Sequence, residues 1–74
     1  MSIRQGIWKH FKGGKYLVLG IASHSETSEE FVVYKALDGE HNGKIFARPI
    51  AMFEERVERD GYSGPRFVPV QLVT

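Results

Sequence analysis

The stretch YLVLGIASHSETSEEFVVYKAL, residues 16–37, decides the fold. Its opening run, YLVLGIA, is continuously apolar and of strand length, and its closing run, FVVYKAL, is rich in β-branched and aromatic residues. Both runs are apolar on both faces, as expected of strands in a sheet that is covered on each side or curls on itself. The intervening SHSETSEE has the Ser, Thr and Glu content of a turn or short loop. The two runs therefore pair as an antiparallel hairpin.

The same signals continue on either side. Upstream, IWKHF reads as a strand, with Gly13-Gly14 supplying the turn into residue 16. Downstream, DGEHNG holds two turn dipeptides, Asp38-Gly39 and Asn42-Gly43, suited to positive φ. KIFAR after it completes a second hairpin. At the far end RFVPVQLV alternates, with Val68, Val70 and Leu72 on one face; Pro69, lacking a donor N–H, assigns this strand to a sheet edge. One stretch departs from the strand pattern. In PIAMFEERVERDG, residues 49–61, Ile50, Phe53 and Val57 recur at helical spacing, Pro49 suits a first turn and Gly61 a helix stop. The spacing predicts about two to three turns of helix, with GYSGPR (61–66) as a connecting loop. The expected architecture is mostly β: a small SH3-like barrel of about five antiparallel strands, with one short helix before the last strand. Closure would hide edges that so short a chain cannot otherwise cover.

Seventy-four residues make one domain, residues 1–74. At that size roughly 60% of the unfolded chain's surface is buried, and with no cysteine neither disulfides nor thiolate metal sites add to the core. The absence of cysteine fits a reducing cytoplasm. MSIRQGIWKHFKGGKY lacks the apolar run of roughly 7–15 residues that a signal peptide needs. The apolar run at 16–22 is far short of the roughly 20 residues that span a bilayer. The expected location is therefore cytoplasmic, with no membrane partner. A net charge of +1 argues against a strong electrostatic nucleic-acid binder, although Arg4, Lys9, Lys12 and Lys15 precede the first acid and Glu26, Glu29 and Glu30 cluster.

The residue types offer little for catalysis. His10, His24 and His41 fall on three different elements with no metal-binding spacing, so no metal is expected. His24 and Ser25 are adjacent in extended backbone and point apart, which removes a nucleophile–base pair. No glycine-rich phosphate loop is present, and nothing requires a cofactor. The recognition chemistry is aromatic and cationic instead. Tyr34 neighbours Lys35, and Arg48 follows Phe46 by two, so an aromatic ring beside a cation could stack a planar ligand or a peptide. Arg48 sits near a helix N-terminus, where the dipole does not favour a cation. It would pair with Glu26 or Glu30, or form an anion-binding corner with that terminus.

Taken together, the strings WKHFKGGKYLVLGIASHSETSEEFVVYKAL (8–37), ARPIAMFEERV (47–57) and GPRF (64–67) resemble the bacterial family catalogued as domain of unknown function 1653. The shared pattern runs through HFKG, YxVLGxAxHSET, VVY, RPxxMF and PRF, and spans roughly residues 7–68. The resemblance implies a stand-alone bacterial domain with no assigned activity. The expected function is a small non-catalytic binding module. Its site would join His24, Ser25, Glu26 and Thr27 to Tyr34, Arg48 and His10, with Arg48 and His24 on an anionic or polar group and Tyr34 stacking. The partner would be a protein, a peptide or a small anionic ligand, and the chain a monomer or homodimer. Two alternatives stand beside it: a nucleic-acid-associated module with Lys9, Lys12, Lys15 and Arg48 on one face, and a small enzyme or accessory subunit using His24.

Overall fold

The computed structural model describes residues 3–73; residues 1, 2 and 74 of the expected domain lie outside it. In chain order the elements are β1 (Gly6–His10), β2 (Lys15–Ser23), β3 (Glu30–Ala36), β4 (Ile45–Pro49), α1 (Ile50–Phe53), β5 (Arg56–Arg59), β6 (Tyr62–Pro65) and β7 (Phe67–Leu72). Five strands form an antiparallel sheet in the order β4-β3-β2-β1-β7, and β5 and β6 form a separate hairpin. The hairpin read from residues 16–37 is the centre of the large sheet, with Tyr16 opposite Ala36 and Ser23 opposite Glu30. No described helix is long and apolar enough to cross a membrane.

The expected closed barrel is not found, because β4 and β7, the two edges, form no ladder. The sheet bends without closing. β2 bulges between Val18 and Gly20, leaving Leu19 without a cross-strand partner, and such an extra residue increases local twist and curvature. The inner face of the bend carries the core: Trp8, Val18, Val32, Tyr34, Phe53 and Phe67 form one buried cluster. Phe53 lies flat on Phe67, centroids 4.2 Å apart, and meets Trp8 and Tyr34 edge-on at 5.4 and 5.6 Å.

Two further expectations are corrected. The helix is a single turn, and Val57 is buried from a strand rather than from a helix face. Asp60 and Gly61 both have positive φ (53° and 83°), and they join β5 to β6, with Arg59 paired to Tyr62. A two-residue loop of that conformation matches the strand twist of a hairpin, so Asp-Gly here is a hairpin turn and not a helix stop. Residues 62–65, expected as loop, become β6. Tyr62 Oη donates to Pro65 O at 2.6 Å, and its ring stacks on Phe11 at 5.3 Å, which ties this hairpin to the β1–β2 turn.

The last strand does take an edge, but not with Val68, Val70 and Leu72 on one face. Its register against β1 shifts between Ile7 and Trp8, so that Gln71 faces Ile7 while Pro69 faces Trp8 and Val70 is the extra residue. The bulge turns Phe67 and Leu72 to the core side and leaves Val70 56% exposed.

Candidate functional site

The bend encloses a pocket of about 190 Å³ lined by His10, Tyr16, Tyr34, His41, Phe46, Arg48 and Phe67. Strand periodicity explains the convergence. Phe46 lies opposite Tyr34 and Arg48 opposite Val32, while Trp8 faces Tyr16 and Val18 faces Tyr34. Alternate residues of four strands thus point to one face. The rings wall the pocket: Tyr34 and Phe46 stack at 5.6 Å, and Tyr16 meets Tyr34 and Phe67 edge-on at 5.4 and 5.7 Å.

Arg48 is the charged group within these walls. Its Nε donates to Tyr34 Oη at 3.0 Å, and its guanidinium lies 5.9 Å from the Phe67 ring centre. Neither Glu26 nor Glu30 reaches it; the ion pair found among the described residues joins Arg66 to Glu55 at 2.9 Å. The terminal Nη groups of Arg48 make no hydrogen bond to the described residues and are not buried. With α1 reduced to one turn that starts at Ile50, little helix dipole stands beside Arg48. Tyr34, expected to stack a ligand, is only 3% exposed; it holds Arg48 instead, and the core rings hold it.

His10 lies against Phe67 at 5.0 Å and Phe11 at 4.6 Å. Its Nδ1 accepts the Lys12 amide at 3.1 Å, so the proton of the neutral ring sits on Nε2. Burial, and then the positive charges of Arg66, Arg48 and Lys12, hold the imidazole below its ordinary pKa. The neutral ring is therefore the form this site favours near pH 7. Burial in the same walls, with a smaller effect of Tyr34, raises the Tyr16 phenol.

His24, Ser25, Glu26 and Thr27 are not part of this pocket. They form the β2–β3 turn at the opposite end of the hairpin, where Ser23 pairs with Glu30. That is four residues, about 13 Å along the strand, from Tyr34. The turn is built from its own side chains. His24 Nδ1 accepts the amides of Glu26 (3.1 Å) and Thr27 (3.3 Å), Thr27 Oγ1 accepts that of Glu29 (3.2 Å), and Ser28 takes φ 66°. His24 is exposed and lines neither this pocket nor the second hollow described below. His24→Ala is expected to cost about 1–2 kcal/mol, from two lost side-chain–backbone hydrogen bonds, read as a lower urea midpoint, with ligand binding in the pocket unchanged. Lost binding at unchanged stability would return the turn to the site.

Sequence reasoning missed Tyr16, His41, Phe46 and Phe67 as pocket residues. For Phe46 the signal was present, since it shares the alternation of Arg48; His41 belongs to an irregular loop, and only the fold brings it to Phe46, ring centres 6.0 Å apart. A second hollow of about 260 Å³ lies between β7 and α1, lined by Ile3, Trp8, Phe53, Glu54, Pro65, Phe67, Val68 and Pro69. The Trp8 indole N–H there is already given to Arg4 O at 3.0 Å. Among the described residues no group of three or more His, Cys, Asp or Glu is placed to hold a metal ion.

Fold and pocket define the class: a small, mostly β domain with an aromatic, arginine-bearing pocket inside an open, bent sheet. The chain belongs to the family described as Protein of unknown function (DUF1653), whose model matches residues 6–69. It is similar to the crystal structure of a DUF1653 protein from Bordetella bronchiseptica, at 36% identity and TM-score 0.86, over 99% of this chain and 94% of that one. No curated protein matches.

Proposed function

We propose that residues 1–74 are one SH3-like, non-catalytic binding module of the bacterial cytoplasm, and that its pocket takes an anionic group of a small ligand or peptide on Arg48. The observation that carries this is the state of the guanidinium. It is fixed through Nε and the Phe67 ring, while among the described residues its Nη groups find no partner and no carboxylate lies within ion-pair distance. A half-buried cation without a counter-ion is costly unless a ligand or solvent compensates it. The cysteine-free composition supports the cytoplasmic setting.

The nucleic-acid alternative needs its cations together. Lys9 and Lys15 pair with each other one step out of phase with Trp8 and Tyr16, so they occupy the sheet face opposite Arg48.

Amide shifts in a titration with small organic anions test the proposal. Saturable shifts at 34, 46 and 48 are expected, and Arg48→Ala should weaken binding by about tenfold or more, the scale of a charged hydrogen bond, with a folded spectrum retained. Binding unchanged by the substitution, or no anion shifting those residues, sinks it.

A further inference from the structure

We infer that the pocket selects a monocarboxylate carried on a single planar ring, a ligand the size and charge of benzoate, held end-on by the Arg48 fork between aromatic walls. This rests on the anion reading above and narrows it by charge, by fork geometry and by shape.

Charge sets the valence of the ligand. Arg48 lines the pocket with no counter-ion among the described residues; the nearby Arg66 is neutralised by Glu55 at 2.9 Å. His10 adds a donor rather than a charge, because its Nδ1 is engaged by the Lys12 amide and the proton it has left is on Nε2. One positive charge in a part-buried aromatic site matches one negative charge. A phosphate, at about −1.5 to −2 near pH 7, would bring charge that the walls leave uncompensated.

The guanidinium geometry selects within the monoanions. Tyr34 Oη occupies Nε at 3.0 Å, so the side-on approach through Nε is closed. What remains is the Nη pair, which matches the two oxygens of one carboxylate. Because Tyr34 and Phe67 hold it on two sides, little side-chain freedom is lost on binding.

Shape selects the remainder of the molecule. The pocket holds about 190 Å³, the scale on which an engineered cavity of about 150 Å³ in an unrelated protein accepts benzene. The half-buried Tyr16 and Phe46 rings, backed by the buried Tyr34 and Phe67, offer the surface against which a flat ring packs offset or edge-on.

Calorimetric and amide-shift titrations with benzoate, benzamide, acetate and inorganic phosphate test this on the full chain. Benzoate is expected to bind saturably and to shift residues 34, 46 and 48. Benzamide, its neutral isostere, acetate, which lacks the ring, and phosphate should each be about tenfold weaker or worse. Arg48→Gln should weaken benzoate similarly, and Arg48→Lys, which keeps the charge but loses the fork, should fail to restore it. Benzamide or acetate equal to benzoate overturns the inference, as does full rescue by lysine. Phosphate binding more tightly than benzoate overturns it and leaves the anion reading standing. If none of the anions binds, both fall.

Discussion

Phe53→Ala is expected to remove about 3–5 kcal/mol, on the order of half the margin of a domain this small. Seventy-four residues at roughly 0.05–0.15 kcal/mol each give about 4–11 kcal/mol in all. Phe53 is 1% exposed and among the largest fully buried side chains. It lies face to face with Phe67 and edge-on to Trp8 and Tyr34, so one truncation removes three aromatic contacts. It is also the buried residue of α1, whose single turn has no side-chain cap and too few hydrogen bonds to persist unaided. The void would open into the neighbouring hollow that Phe53 already lines, so collapse around it is hindered. Urea unfolding followed by tryptophan fluorescence reads the loss, and Phe53→Leu, which keeps most of the volume, should cost under half as much. A loss below about 1 kcal/mol would mean that Phe53 does not pin the helix to the sheet.

What the sequence made legible follows from which signals have one physical meaning. A long apolar run ending in a Ser/Thr/Glu cluster has one economical reading, a strand entering a turn, and residues 16–37 form that hairpin. Pro69 likewise has few places in a sheet, and its strand is an edge. Ile50, Phe53 and Val57 carry two meanings. The first two fit one helical turn; Val57 fits equally the buried phase of a short strand, and local periodicity cannot choose. Asp60-Gly61 serves as helix stop or hairpin turn, and the partner that decides, residues 62–65, has almost no strand signal of its own.

The site was legible in the same uneven way. Arg48 and Tyr34 sit on strands, where alternation gives the face, and register then brings Phe46 opposite Tyr34. The His24 turn drew attention because its sequence is particular, but the particularity is used up within the turn, by His24 and Thr27 accepting three backbone amides. Which end of the sheet holds the pocket depends on where the bend lies. That is set by bulges at residues 19 and 70, which the apolar pattern does not announce.

Gly6→Ala is expected to be nearly as damaging as the core truncation, through the backbone alone. Gly6 has φ +144°, and a Cβ there would stand 2.4 Å from Gln71 O and 2.6 Å from Leu72 Cα. Both obstacles are main-chain atoms of β7, which cannot swing aside as a side-chain tip would. Relief requires β7 to move away from β1 at the Gly6–Leu72 pair, and β7 carries Phe67, the ring on which Phe53 and Arg48 rest. The strained φ and the overlap together should cost about 2–5 kcal/mol. Gly20→Ala separates the two causes. Gly20 has a similar φ of +155°, but its added Cβ would meet nothing nearer than Gln5 Nε2 at 3.9 Å, so the alanine there carries the conformational cost without the collision. Urea midpoints should therefore fall much further for Gly6→Ala than for Gly20→Ala. Hydrogen exchange in the Gly6 variant should accelerate first in β7 and at Val73, whose amide bonds to Gln5 O at 2.9 Å. Equal midpoints for the two variants would show that β7 yields freely at this crossing, and that the close approach of the strands is not what holds the edge in place.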